Sequence, residues 1–219
     1  MGTFSTTANS SSTIGYAQYG SSSWSTGSSS GACQGAYQGT TAAKSRVGVM
    51  VFSGAGAALK GKLIQSITLT ITSSGAGSGS SSKKLTFCQA NYQSLNTGVR
   101  GSAQVGAALG TLTGKFYSNT TTHTLNASSN AAFFKALSAY LTEGNSALVL
   151  YNGETSKADG YSANYARVTS CTLTVSYIDG MAYVRVNGAW KQCAVWMRVN
   201  GAWKQVVPYY RRDGAWVRV

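Results

Sequence analysis

Alternation of apolar and polar residues runs through the middle of the chain and predicts β-strands. Leu63 to Thr72 contains the strict pattern Ile-Thr-Leu-Thr-Ile-Thr at 67–72, typical of a strand with one buried and one solvated face. A second segment, 168–178, alternates in the same way. We therefore expect both segments to place one face in a core and the other in water.

Two continuous apolar runs predict strands that are buried on both faces. They are Arg46 to Phe52 and Ala147 to Tyr151, and each is short enough to be a strand rather than a helix. Two further strands are predicted at 84–90 and 116–125, where β-branched and aromatic residues are frequent.

One segment has helical spacing instead. Its apolar stripe consists of Phe133, Phe134, Leu137, Tyr140 and Leu141. Ser128, Ser129 or Asn130 is a suitable N-cap, and Gly144 is a suitable stop. The pattern predicts a single short helix in a chain otherwise made of strands.

Segments rich in small residues separate these elements. Residues 73–82 predict a Gly/Ser loop, 94–114 predict loops around short strands, and 5–31 predict short strands and loops that carry isolated aromatic residues. Many strands and one helix point to an all-β fold, a jelly-roll-like antiparallel β-sandwich over 1–178. We expect the helix to lie across one open edge or end of the sheets.

The last 39 residues form an internal repeat with a period of 13 residues. Each unit of 181–219 places a two-residue turn between aromatic residues: Asn187-Gly188, Asn200-Gly201 and Asp213-Gly214. These dipeptides are preferred in type I′ turns, so the repeat predicts three β-hairpins. Hairpins of this size bury little alone and must stack on each other, on the main domain or on copies from other chains.

Charge changes this picture only in part. The chain has 18 Lys and Arg against 5 Asp and Glu, a net charge of +13 in 219 residues, which favours anionic partners. Seven of the basic residues lie in 181–219, and the rest are thinly scattered. Because no run of basic residues exceeds two, a nucleic-acid partner is not expected. No apolar run is long enough to span a membrane.

Candidate chemistry is sparse. Residues 56–62 match G-x-x-x-x-G-K, but Leu63 stands where a phosphate loop needs Ser or Thr, so a loop between strands is the preferred interpretation. His123 is the sole histidine and is interpreted as a strand-surface residue. Glu143, Glu154 and Asp159 are the candidate carboxylates of a glycosidase. With so few acids and one histidine, we expect no catalytic residues and hence no enzyme.

The four cysteines lie far apart, without a C-x-x-C pair. Their spacing excludes a zinc-finger pattern, and we expect neither a metal site nor a cofactor. Cys88 and Cys171 lie within strand patterns and are expected to be buried thiols. The disulfide state of Cys33, Cys88, Cys171 and Cys193 is left open.

Aromatic residues are the strongest indication of a binding surface. Five Trp and 13 Tyr in a chain with 11% charged residues are suited to stacking on sugars or to anchoring protein interfaces. In the main domain the predicted ligand-binding residues are Tyr161, Tyr165 and Trp24. In the tail the residues predicted to serve assembly of the repeat are Trp190, Trp203 and Trp216.

The repeat resembles one found at the C-termini of minor structural and tail proteins of phages and prophages of Gram-positive, often gut, bacteria. The resemblance rests on Val-Arg-Val-Asn-Gly-Ala-Trp-Lys-Gln at 184–192 and Arg-Val-Asn-Gly-Ala-Trp-Lys-Gln at 198–205. The third unit departs from it after Trp216, where Val-Arg replaces Lys-Gln. The segments 45–52 and 146–153 resemble the β-sandwich companion of such tails, similar to a carbohydrate-binding module.

This resemblance implies a non-enzymatic virion protein of a tail, fibre or capsid decoration, made in the host cytoplasm without a signal peptide. Its expected partners are other virion proteins, further copies of itself, with a trimer favoured, and host cell-wall carbohydrate. Two alternatives stay open: a carbohydrate-binding module of a surface or secreted protein, and a polysaccharide depolymerase.

Overall fold

Strands dominate the architecture. The computed structural model describes residues 2–9, 14–19, 24–27, 31–38, 43–75, 82–94, 101–154, 160–178, 182–193, 195–206, 209–212 and 215–218. The helices are α1 (Ala55–Leu59), α2 (Gly101–Gln104) and α3 (Ala131–Thr142). The strands of the main domain are β1 (Gly2–Asn9), β2 (Ile14–Tyr19), β3 (Trp24–Gly27), β4 (Ala32–Gln38), β5 (Ala43–Val51), β6 (Leu63–Ser73), β7 (Lys83–Ala90), β8 (Val105–Gly114), β9 (Thr120–Leu125), β10 (Ala147–Leu150), β11 (Gly160–Tyr161) and β12 (Ala166–Ile178). The tail contains β13 (Ala182–Val186), β14 (Ala189–Cys193), β15 (Val195–Val199), β16 (Ala202–Val206), β17 (Tyr209–Arg212) and β18 (Ala215–Arg218).

Two antiparallel sheets form a sandwich. The first has the order β1-β12-β6-β9. The second has the order β3-β2-β5-β10-β7-β8. The expected all-β, sandwich-like class is therefore confirmed, and the alternating segments 67–72 and 168–178 lie side by side in β6 and β12.

Strand β4 joins the two sheets. Its first half, from Ala32 to Gln34, pairs with β12, and its second half, from Gly35 onward, pairs with β5 and β11. Gly35 stands at the switch with a φ of 84°, a conformation that favours glycine. A β carbon there would lie 2.7 Å from Ser162 Oγ and 2.8 Å from Tyr165 Cα. The passage of β4 between the sheets therefore also requires a residue without a side chain at position 35.

The core lies between the sheets and extends under α3. Its inward side chains come from both layers, with Ile67, Ile71, Leu173, Phe87, Leu112 and Leu148 among them. Helix α3 packs against β8, β6 and β9, and Phe133 contributes its ring to the core 5.4 Å from that of Phe87. Because β8 and β9 are the edge strands of the two sheets, α3 closes the open side of the sandwich, as the sequence predicted.

The second sheet is also covered on its other face. Val47, Val49 and Val149 are buried there beside Cys88. This explains why 46–52 and 147–151 read as continuous apolar runs, since a strand covered on both faces needs no polar alternation. The prediction of buried strands is confirmed for both segments.

Three local predictions need correction. Within 94–114 the chain forms one continuous ten-residue strand, β8, preceded by α2. The segment 56–62, predicted as a loop, begins with the single turn of α1, where Gly56 N–H donates to Ser146 Oγ at 2.9 Å. The strand predicted over 116–125 forms only from Thr120. In the first two cases small residues give weak local signals that packing overrides.

Among the described helices, none is both long and apolar enough to cross a bilayer.

Candidate functional site

The first two tail hairpins have the predicted turns, whereas Asp213-Gly214 of the third lies outside the described residues. Asn187 and Gly188 have φ values of 51° and 82°, and Asn200 and Gly201 have 52° and 81°, as a type I′ turn requires. The strand pairs β13–β14, β15–β16 and β17–β18 each form a separate two-stranded sheet. Each unit of the repeat thus contains a pair of antiparallel strands.

The strand register gives each hairpin two distinct faces. In β15–β16 the pairs Val195–Val206, Met197–Lys204 and Val199–Ala202 share one face, which we call the aliphatic face. The pairs Trp196–Gln205 and Arg198–Trp203 share the other, which we call the aromatic face. The same division holds for β13–β14, where Val184–Lys191 and Val186–Ala189 alternate with Tyr183–Gln192 and Arg185–Trp190.

Both faces are exposed in the single chain. Trp203 is 66% exposed and Trp196 is 55% exposed on the aromatic face, and Met197 is 52% exposed on the aliphatic face. A folded chain rarely leaves such large apolar side chains clustered in water without a partner. The second hairpin is therefore a candidate contact surface on two sides.

In each of the first two hairpins, an arginine side chain hydrogen-bonds to the backbone of the turn. Arg198 Nε donates to the carbonyl of Gly201 at 3.4 Å, and Arg185 Nε donates to Gly188 at 3.3 Å. The register places each arginine directly opposite a tryptophan, Trp203 and Trp190 respectively. The third hairpin repeats the pairing with Arg211 opposite Trp216. The side chains of Trp190 and Trp216 lie outside the described residues, so their assembly role stays a prediction.

The predicted ligand-binding residues of the main domain lie in different places. Tyr165 is completely buried, and the Arg46 guanidinium stands 5.7 Å from its ring centroid. Burial raises the pKa of its phenol above the usual range. Because protein covers the Tyr165 ring, this residue stabilises the interior, and stacking on a sugar does not fit its position. Trp24 and Tyr161 lie on β3 and β11, but their side chains are outside the described residues.

A polar cluster surrounds the sheet switch near Tyr165. Ser162 Oγ accepts from Ala36 N–H at 2.9 Å and donates to the Glu154 carboxylate. Asn164 Nδ2 donates to the other oxygen of Glu154 at 3.1 Å. The Glu154 carboxylate therefore holds Ser162 and Asn164 in place beside β4. The sequence did not reveal this structural role.

The other candidate acid–base groups are separated. Glu143 forms the C-cap of α3, and Asp159 lies outside the described residues. His123 packs its ring 5.7 Å from that of Phe116, and burial lowers its pKa. Over the described part of the chain, no three His, Cys, Asp or Glu side chains are grouped as metal ligands.

The outer face of the first sheet is a continuous array of hydroxyl groups. Its rows are formed by Ser5, Thr7, Thr172, Thr174, Thr68, Thr70, Thr72, Thr120, Thr122 and Thr124. Neighbouring strands are linked by hydroxyl hydrogen bonds, such as Thr7 to Thr172 at 2.8 Å and Thr72 to Thr120 at 3.0 Å. These cross-strand pairs stabilise the sheet on its solvated side, so the polar half of the alternation has a structural explanation.

Comparison with known proteins adds no relative to this description. The sequence matches no family model, and no curated protein is significantly similar to it.

Proposed function

We propose that this protein is a non-enzymatic structural component of a phage particle, a tail, fibre or capsid decoration protein that takes part in attachment to the host surface. The observation that carries the proposal is the two-faced hairpin repeat. A two-stranded hairpin is marginally stable alone. The second hairpin exposes apolar side chains on both faces, and the first exposes Val184 and Val186 on its aliphatic face.

Assembly of several chains supplies the missing contacts. The aliphatic faces centre on Val184, Val186 and Met197. When these faces pack against each other, each Å² of apolar surface that they bury stabilises the assembly by about 25 cal/mol. Closed symmetry is the usual outcome for identical chains, and a trimer is the assembly we favour. The β-sandwich then serves as the module displayed on the particle.

The oligomeric state tests this proposal. We expect the full-length protein to be a stable oligomer, most simply a trimer, in light scattering coupled to gel filtration. Replacing Val184 and Met197 by Glu buries charge in the packed faces and shifts the protein towards monomers. The control is Ala107→Glu on an exposed position of β8, which leaves the assembly unchanged.

Particle association provides the second readout. An antibody against the protein is expected to follow phage particles through a density gradient. A monodisperse monomer that is absent from the particle fractions would overturn the proposal.

A further inference from the structure

We propose that the aromatic faces of the hairpins are repeated binding sites for an anionic polysaccharide, while the aliphatic faces serve assembly. This inference rests on the proposed function, because it names the ligand class that a displayed attachment protein would take. It assigns different tasks to the two sides of one small repeat.

The side chains of the aromatic face suit a sugar. In the second hairpin Trp196 and Trp203 are more than half exposed, and a flat aromatic ring covers the apolar face of a pyranose. Gln205 occupies the same face by register, and its amide can both donate to and accept from hydroxyl groups. An exposed indole also has an N–H to donate.

The charge of this face selects an anionic ligand. Arg198 uses its Nε for the Gly201 carbonyl, and its terminal NH₂ groups are the part suited to a bidentate contact with a carboxylate or phosphate. Residues 180–212 contain no Asp or Glu, so no acidic neighbour in the first two hairpins competes for this cation.

The repeat multiplies the site. The first hairpin has Tyr183, Arg185, Trp190 and Gln192 at the equivalent register positions. The third has Tyr209, Arg211, Trp216 and Arg218. Three sites of similar composition in one chain match a polymer with a repeating unit, and their linkage raises the avidity well above the affinity of one site.

The distribution of charge favours a polysaccharide over a nucleic acid. A phosphate track needs several cations on one surface. Here each of the first two hairpins has cations on both faces. In the second hairpin Arg198 pairs with Trp203 on the aromatic face, and Lys204 pairs with Met197 on the aliphatic face. In these two hairpins, one cation on each aromatic face fits a polymer whose acidic groups are carried singly on sugar rings.

The experiment compares two double variants with the same change of net charge. Arg185→Gln with Arg198→Gln removes the cations of the aromatic faces, and Lys191→Gln with Lys204→Gln removes those of the aliphatic faces in the same two hairpins. Binding of the full-length protein is measured on immobilised polygalacturonate, neutral dextran and poly-dT at one salt concentration.

We expect wild-type protein to bind polygalacturonate more tightly than dextran or poly-dT. The arginine double variant is expected to lose about tenfold or more in affinity for polygalacturonate, and the lysine double variant less than about threefold. Bound polygalacturonate is also expected to protect Trp fluorescence from acrylamide quenching, a readout that charge alone does not move.

Equal losses in the two double variants would overturn the inference, because the attraction would then depend on net charge. Tighter binding to poly-dT than to polygalacturonate, or no binding to polygalacturonate, would also overturn it. Light scattering on the same samples separates the two proposals: an oligomer without polysaccharide binding refutes this inference alone, whereas a monomer that binds refutes the assembly.

Discussion

Gly110 of β8 lies directly against Phe133 of α3. A β carbon at position 110 would stand only 2.5 Å from Cβ and Cδ2 of the phenylalanine. This contact brings the helix down onto the edge of the second sheet, where the Phe133 ring also meets Phe87. The closure of the sandwich therefore depends on the absence of a side chain at one strand position.

The substitution Gly110→Ala tests this contact. Because its methyl group overlaps the ring, α3 must move away and part of the core loses its packing. We expect the free energy of unfolding to fall by about 1–3 kcal/mol, measured by urea denaturation. The control, Ala107→Ser at an exposed position of the same strand, should change it by less than about 0.5 kcal/mol. Equal stability of the two variants would contradict the proposed packing.

Gln34 is a second position where stability depends on a non-local contact. Its buried amide donates to the carbonyls of Lys84 at 2.7 Å and Asn164 at 2.9 Å. It also accepts from Thr86 N–H at 3.0 Å. The side chain thus connects β4, β7 and the loop before β12.

Replacing Gln34 by Leu leaves these backbone groups without their partner. We expect a loss of about 3 kcal/mol, since each buried unsatisfied group costs about 1–3 kcal/mol. Gln89→Leu, the same change on the half-buried surface of β7, is the control and should have a small effect. An unchanged unfolding midpoint for Gln34→Leu would mean that the bonds to this amide do not stabilise the fold.

The four thiols are expected to differ sharply in reactivity. Burial raises the pKa of Cys33 and Cys88, and it raises that of Cys171 to about 12. All three are buried free thiols, whereas Cys193 in the first hairpin is only half-buried. In the monomeric Val184→Glu, Met197→Glu variant, where no second chain covers the aliphatic face that carries Cys193, this thiol should react with a disulfide reagent at pH 8 and the other three should not, since the thiolate is the reactive form.

Mass spectrometry of the labelled protein checks this prediction. The folded variant should carry the label on Cys193, and the urea-unfolded variant on all four cysteines. Adding Cys193→Ser is expected to abolish labelling of the folded variant. Rapid native labelling of Cys171 would show that its strand opens far more readily than a core strand should.

The sandwich was predictable because its signals are local. Alternation in 67–72 and 168–178 follows directly from a strand with one face in the core, and the stripe from Phe133 to Leu141 follows from a helix that covers the sheets. The sequence left three residues open as the N-cap of α3. Asn130 occupies that position with a φ of 54°, and its side chain makes no hydrogen bond to the helix. Strand β8 was missed, because its glycines and alanines carry little preference for a strand.

The predicted site residues were less accessible to sequence reasoning than the fold. Tyr165, a predicted ligand-binding residue, and Glu154, a candidate carboxylate of a glycosidase, both belong to the packing around the sheet switch. Their position in the sequence could not reveal this, because Arg46 beside Tyr165 and Ala36, which binds Ser162, come from distant strands. The Arg–Trp pairs of the hairpins were implicit in the 13-residue period, yet only the register shows that they share a face.

By itself, the sequence determined the β class, the closing helix and the three hairpins, because periodicity and Asn-Gly turns act over a few residues. The tertiary structure decided which aromatic residues remain exposed and where β4 passes from one sheet to the other. Those features depend on contacts between segments more than one hundred residues apart, as between Ala36 and Ser162 with a separation of 126. Such contacts follow from the packing of the whole core, which no local pattern encodes.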